Sequence, residues 1–192
     1  MKTLILASSS PYRRALLERL QIPFQHASPE VDERRLPDES GRDMVARLAE
    51  QKAKALAESF PNHLIIGSDQ AAILGNEVLG KPHTHARAAE QLRAASGQSV
   101  RFETGLALLN TSTGRIQRDT IAFTVHFRKL DDATIDRYLV AETPFDCAGS
   151  FKAEGLGIAL FSGMEGRDMT SLIGLPLIRL VDMLLEEGVQ IP

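Results

Sequence analysis

The chain contains no tryptophan, one cysteine, and aromatic residues amounting to only 5% of the total. With Cys147 alone there is no internal disulfide framework, and a lone thiol fits a reducing compartment. Charge of one sign is also missing. Lysine and arginine number 22 against 25 aspartates and glutamates, a net charge of −3, so nothing draws the whole chain toward nucleic acid or anionic lipid. Any grip on a polyanion must come from a local cluster. Long apolar runs are absent too: "TLILA", residues 3–7, is too short for a signal-peptide core and far too short to cross a bilayer. Repeats, low-complexity tracts and a Walker-type glycine loop are lacking, and the five histidines do not have zinc-site spacing. Cys147 has no evident histidine base and reads as a packed small residue. A cytoplasmic protein with neither nucleic acid nor membrane as partner is expected.

What remains is 192 residues that are 43% hydrophobic and 24% charged, enough for one domain with a sizeable core. "TLILA" is continuously apolar, as in a strand buried on both faces. Ser10 as N-cap and Pro11 at the first helical position predict a helix to about Leu20, with Leu16, Leu17 and Leu20 turned inward. "IPFQHAS" predicts a short second strand, and Ser40 with Asp43 opens a helix over 41–59. "HLIIGSD" is an apolar strand ending in a carboxylate, followed by a hairpin at Gly75-Asn76 and the Ala-rich helix "THARAAEQLRAAS". "SVRFETGLALLN" and "RIQRDTIAFTVHFRKL" read as long antiparallel strands joined at "TSTG". "DDATIDRYLVAE" reads as an exposed helix, "GLGIALF" as a strand and "LPLIRLVDMLLEEG" as a closing amphipathic helix. This alternation predicts an α/β fold with a mixed sheet, one domain over residues 1–192, two-lobed with a central cleft.

Several charges conflict with the faces they occupy. Arg13 precedes Leu16 and Leu17 by three and four positions and so shares their inward stripe, at a helix N-terminus where positive charge opposes the macrodipole. Spacing alone leaves two readings open: a solvated arginine on a capped helix, or a guanidinium overhanging a strand end where an anion binds. Ser8, Ser9 and Ser10 would add hydroxyl donors to the second reading, while Arg14 points away from the stripe. Lys52 repeats the anomaly, four residues from both Leu48 and Leu56, and is either a snorkelling lysine or a functional one. Lys81 lies in "LGKP", just before a proline. Among the acids, Asp69 follows a buried strand directly and Glu33 sits in the polar loop "PEVDERR". Two carboxylates beside phosphate are what magnesium or manganese requires, with water and phosphate oxygens completing the shell.

Seven segments in order, "LASSSPYRRALL", "PEVDE", "AEQKA", "IIGSDQ", "GKP", "CAGSFKAEG" and "EGRDMTSLIGLP", carry a resemblance that spans essentially the whole chain. The sequence resembles the Maf family of nucleoside triphosphate pyrophosphatases, and within it the branch acting on 7-methyl-GTP. The resemblance implies an elongated α/β fold with a deep cleft, related to inosine-triphosphate pyrophosphatases. It also implies cleavage between the α- and β-phosphates, with a divalent cation, Mg2+ or Mn2+, as cofactor. It makes Asp69 the proton acceptor, places Glu33, Lys52 and Lys81 among the catalytic residues, and sets Ser8, Ser10 and Arg13 on the phosphates. Glu33 and Asp69 are the metal-binding candidates, and family members are commonly homodimers.

The same resemblance marks Tyr12, Gln70 and Glu154 as specificity positions. A 7-methylguanine base is cationic, so an aromatic face attracts it and a carboxylate accepts hydrogen bonds from its N1–H and exocyclic amine. Tyr12 and Glu154 suit these tasks, although the branch typically has tryptophan where this chain has Tyr12. The pyrimidine-directed branch resembles a pattern of arginine, threonine and glutamine at these three positions, none of which is present. The expected activity is hydrolysis of 7-methyl-GTP to 7-methyl-GMP and diphosphate, clearing modified nucleotides. The alternatives are the same chemistry on UTP, dTTP or another modified nucleotide, and a non-catalytic nucleotide-binding regulator of cell division.

Overall fold

A computed structural model describes residues 3–191. Seven strands form one mixed sheet: β1 (Leu4–Ala7), β2 (Phe24–Ala27), β3 (Leu64–Leu74), β4 (Glu77–Leu79), β5 (Ser99–Asn110), β6 (Ile116–Phe127) and β7 (Phe161–Gly166). Their spatial order is β2-β1-β3-β5-β6-β7, with β4 paired to β3. Strands β2, β1 and β3 run parallel, whereas β4 on β3 and β7 on β6 are antiparallel. Six helices accompany them: α1 (Pro11–Glu18), α2 (Gly41–Ala55), α3 (His85–Ala95), α4 (Asp132–Glu142), α5 (Met169–Ile173) and α6 (Leu177–Glu186). The expectation of an α/β fold with a mixed sheet is met. No helix among the described residues is long and apolar enough to cross a membrane.

The chain divides into two compact units. The first holds residues up to Gln70, Thr104–Ile121, and those from Asp168 on. Alternation along β1 sorts its core into two layers. Leu4 and Leu6 pack with Leu16, Leu17, Leu180 and Leu184 on one side, while Ile5 and Ala7 meet Ala49, Ala53 and Leu56 on the other. Helices α1 and α6 therefore cover one face of the sheet and α2 the opposite face. Burial of each such leucine contributes about 1.5–3 kcal/mol. Helix α2 ends at Ala55, four residues short of the predicted Ser59, because residues 56–62 turn over to enter β3.

The second unit holds Ala71–Glu103 and Ala122–Arg167. Half of the chain's eight phenylalanines form its centre: Phe102, Phe127, Phe151 and Phe161 stack edge to face at centroid distances of 4.8–5.7 Å. Helix α4, expected to be exposed, buries Ile135, Tyr138 and Leu139 on one side. "GLGIALF" is not a strand. Leu156–Leu160 form a 3-10 turn, and β7 begins only at Phe161. Leu156 and Ile158 are exposed and Leu160 is buried, and the Leu156 N–H is taken by the Glu142 carboxylate at 2.7 Å rather than by a neighbouring strand.

Candidate active site

Strand β1 stops at Ala7, and its register with β3 ends at Leu6 opposite Ile66. Strand β3 continues past this point, so Asp69 lies mid-strand and not at a strand end as the apolar run predicted. Its carboxylate nevertheless projects from β3 beyond the C-terminal end of the shorter parallel neighbour, the position where open α/β sheets hold ligands. Ser8, the next residue after β1, is also buried. The step in strand length brings the two segments together.

Lys52 sits on the buried face of α2 among Leu48, Ala49 and Ala53. Its ammonium lies 2.6 Å from Asp69 Oδ1 and 2.7 Å from Glu33 Oε1. Of the two readings of this lysine, the snorkelling one is eliminated: the side chain is 7% exposed and turned inward. The partners differ in setting. Glu33 is 61% exposed on its loop, whereas Asp69 is only 12% exposed. A buried ammonium between two carboxylates is held electrostatically, and removing its buried partner would leave an uncompensated charge.

Arg13 is half-buried and donates through Nε to the Gly174 carbonyl at 2.8 Å. Burial pulls the guanidinium below its ordinary value, and the charges of Asp69 and Glu33 act on it in the opposite direction. The Ser10 hydroxyl accepts from the Arg13 N–H at 3.4 Å as N-cap, and the Ser8 hydroxyl accepts from the Ser10 N–H at 3.1 Å. Each serine thus uses a lone pair on the backbone and keeps a hydroxyl proton to donate. The first turn of α1 carries no acidic residue, so its N-terminal field is left for an external anion. Arg14 is exposed, with Nη1 3.3 Å from His26 Nε2.

Gln70, beside Asp69, directs its amide nitrogen at protein rather than outward. Nε2 donates to the carbonyls of Ser171 and Leu172 at 2.7 and 3.0 Å and lies 3.2 Å from the Thr104 hydroxyl. Tyr12 is half-buried at the start of α1. Lys81 and Glu154 belong to the second unit, where both are exposed. There the turn carrying Glu154 is pinned on both sides by α4: the Lys152 N–H donates to the Tyr138 hydroxyl at 3.1 Å and the Leu156 N–H to Glu142. Burial raises the Tyr138 phenol well above its usual value, so it serves as a neutral hydroxyl there.

Glu33 and Asp69 suit a hard divalent cation. Both are oxygen donors, both already face one positive charge, and the ammonium between them is a stand-in for a cation. No group of three or more His, Cys, Asp or Glu side chains able to hold a metal occurs among the described residues. The remaining ligands would have to be phosphate oxygens and water, an arrangement magnesium accepts.

Sequence reasoning missed a buried polar network behind these residues. Ser68 Oγ lies 2.8 and 2.9 Å from the carbonyls of Gly105 and Gly174, and Thr104 Oγ1 donates to the Ser171 carbonyl at 2.8 Å. In "RDMTS" the Asp168 carboxylate caps a helix locally, accepting from the Thr170 N–H two residues on, whereas the side chains that reach the following backbone, those of Arg13, Ser68 and Gln70, are remote in sequence.

The chain belongs to the Maf family: residues 3–187 match the family described as "Maf-like protein". It is 66% identical over 192 residues to a protein of Pseudomonas fluorescens (strain Pf0-1) named 7-methyl-GTP pyrophosphatase, with all of both chains covered. A Pseudomonas aeruginosa PAO1 protein of the same name is 64% identical, again over the full length of both. One from Alkalilimnicola ehrlichii is 59% identical over 96% of this chain and 93% of its own. Among solved structures, the HAM1 protein of Coxiella burnetii aligns with TM-score 0.54 at 15% identity, covering 97% of this chain and 100% of its own. The Ham1 protein of Staphylococcus aureus aligns with TM-score 0.55 at 12% identity, covering 98% and 100%. These two likenesses establish the shared fold.

Proposed function

We propose that this protein is a nucleoside triphosphate pyrophosphatase that hydrolyses 7-methyl-GTP to 7-methyl-GMP and diphosphate. The observation that carries the proposal is the buried Lys52 ammonium held between Asp69 and Glu33, with Arg13 within their electrostatic reach. A site that only bound a triphosphate would gain nothing from two carboxylates placed beside it, whereas hydrolysis needs a base. The names carried by relatives identical at 59–66% support the same substrate.

In this reading the triphosphate lies at the N-terminus of α1. The Ser8 and Ser10 hydroxyls and the Arg13 guanidinium bind its oxygens, with Lys52 and Lys81 adding positive charge. Asp69 orients a water molecule and takes its proton as the oxygen attacks the α-phosphorus. The bond from that phosphorus to the bridging oxygen of the β-phosphate breaks, and diphosphate leaves. Fixed charges supply most of the lowering of the barrier, since they are set before reaction and need not reorganise. A magnesium or manganese ion bound by Glu33 and Asp69 would neutralise phosphate charge as it develops. Tyr12 and Glu154 are assigned to the base, the first as a stacking face and the second as hydrogen-bond acceptor, with Gln70 as the third specificity position. A cytoplasmic homodimer completes the proposal, and its assembly is read by light scattering of the purified protein.

Diphosphate release from 7-methyl-GTP, GTP, UTP and dTTP, measured with purified protein and Mg2+ or Mn2+, tests the reading. The expected order places 7-methyl-GTP first. Release from none of the four would end it, and preference for UTP or dTTP would move the assignment to a pyrimidine substrate.

A further inference from the structure

Asp168 is buried and has none of the roles assigned above. Its Oδ1 accepts from the Thr170 N–H at 2.8 Å and the Thr170 hydroxyl at 2.5 Å, and its Oδ2 accepts from the Ile178 N–H at 2.9 Å. The Thr170 hydroxyl oxygen in turn accepts from the Leu177 N–H at 2.8 Å. One carboxylate, helped by one hydroxyl, therefore fastens the starts of both α5 and α6. Between those two points the chain makes a tight strap through Gly174, at φ +122°, a conformation L side chains rarely adopt.

Three main-chain carbonyls of this stretch receive side chains from elsewhere in the fold. Gly174 O receives Arg13 Nε at 2.8 Å and Ser68 Oγ at 2.9 Å, and Ser171 O and Leu172 O receive the Gln70 amide. Arg13 is thus tied to this strap through its Nε, and the Gly174 carbonyl orients the guanidinium.

We propose that Asp168 is a positioning residue for triphosphate binding, acting through the strap and Gly174 on Arg13. The inference rests on the phosphate role assigned to Arg13 under the proposed function. Its physical content is geometric. An asparagine at position 168 keeps the shape but turns one acceptor into an N–H2 donor, which cannot serve both Thr170 and the Ile178 N–H. The α5–α6 junction then relaxes, the Gly174 carbonyl shifts, and Arg13 loses its fixed orientation while its charge stays.

The test is a double-mutant cycle of Asp168→Asn and Arg13→Ala, reading both triphosphate affinity by calorimetry in the absence of turnover and kcat/KM for diphosphate release. Asp168→Asn alone should weaken both about tenfold, the scale of a misplaced binding group. In the Arg13→Ala background it should change neither by more than about twofold, because the group it positions is already gone. Multiplicative losses in the double variant, or wild-type affinity and rate in Asp168→Asn, would overturn the proposal. Should Asp168→Asn not fold, Thr170→Val removes the hydroxyl link with little change of shape, and the same cycle applies. If the wild type binds triphosphate but turns over none, the proposed function fails while the affinity cycle still decides the role of Asp168.

Discussion

Gly67 lies against Ala49 backbone to backbone: a Cβ on Gly67 would stand 2.0 Å from the Ala49 carbonyl oxygen. Gly105 meets the Val45 carbonyl in the same way, at 2.1 Å. Helix α2 is thus seated directly on β3 and β5, and that contact sets how far Lys52 stands from Asp69, three and two residues along. Neither contact can yield by moving a flexible side chain. Gly67→Ala should therefore lift the helix, lowering stability by about 2–3 kcal/mol through overpacking and cutting turnover with it. Urea denaturation and diphosphate release measure the two effects, and an unchanged rate would mean that the Lys52–Asp69 spacing is not set by this contact.

The two acids on Lys52 should respond differently to neutralisation. Glu33→Gln removes a mostly exposed partner and should cost no more than about 1 kcal/mol. Asp69→Asn leaves the buried ammonium with only that exposed partner, and should cost about 2–3 kcal/mol. In activity, Asp69→Asn should lower kcat by about a thousandfold as the proton acceptor is lost, with triphosphate binding largely kept. Wild-type turnover in this variant would remove Asp69 from the mechanism.

Acid stability should report a pair next to the Glu33 loop. Glu39 is gripped by Arg47 through two hydrogen bonds of 2.6 and 2.7 Å, and Arg47 also donates to the Arg34 carbonyl. The Arg47 hydrogen bond is the main reason that Glu39 is held down at about 2. A carboxyl depressed on folding stabilises the protein fully above the ordinary carboxylate range and loses that contribution as pH falls toward 2. Allowing for solvent screening, the contribution is about 1 kcal/mol. Unfolding free energy followed from pH 6 down to pH 2 should fall less steeply in Glu39→Gln than in the wild type; identical slopes would show that the pair contributes nothing.

Base selection should depend on Glu154. Replacing it by glutamine removes the negative charge that favours a cationic base, and should reduce discrimination between 7-methyl-GTP and GTP about tenfold, equivalent to about 1.4 kcal/mol. Equal discrimination in wild type and variant, measured as the ratio of kcat/KM, would count against this pocket.

Much of the candidate site is drawn from residues that break local rules. Arg13 and Lys52 stood out because a charge on an apolar helical stripe needs a partner, and each has one. Asp69 stood out because it ended an apolar run. The same reasoning misjudged the strand itself: Ala71-Ala72-Ile73-Leu74 continues β3, and only the early end of β1 gives Asp69 its place. "GLGIALF" failed similarly, since a short apolar run interrupted by glycine fits either a strand or a 3-10 turn until the Glu142 carboxylate captures Leu156. The Asp168 network was out of reach for another reason. Gly174 lies 161 residues from Arg13 and 106 from Ser68, and its contribution is a carbonyl, a group every residue possesses.

This stretch of sequence can drift more freely than its central place suggests. Because Arg13, Ser68 and Gln70 are received by peptide oxygens, the identities of the side chains at 171–173 do not enter those three contacts. What must persist is the path of the chain, held by an acid, a hydroxyl and a glycine. Anchoring of this kind hides from any search for matching functional groups, and becomes visible only when the course of the backbone is traced.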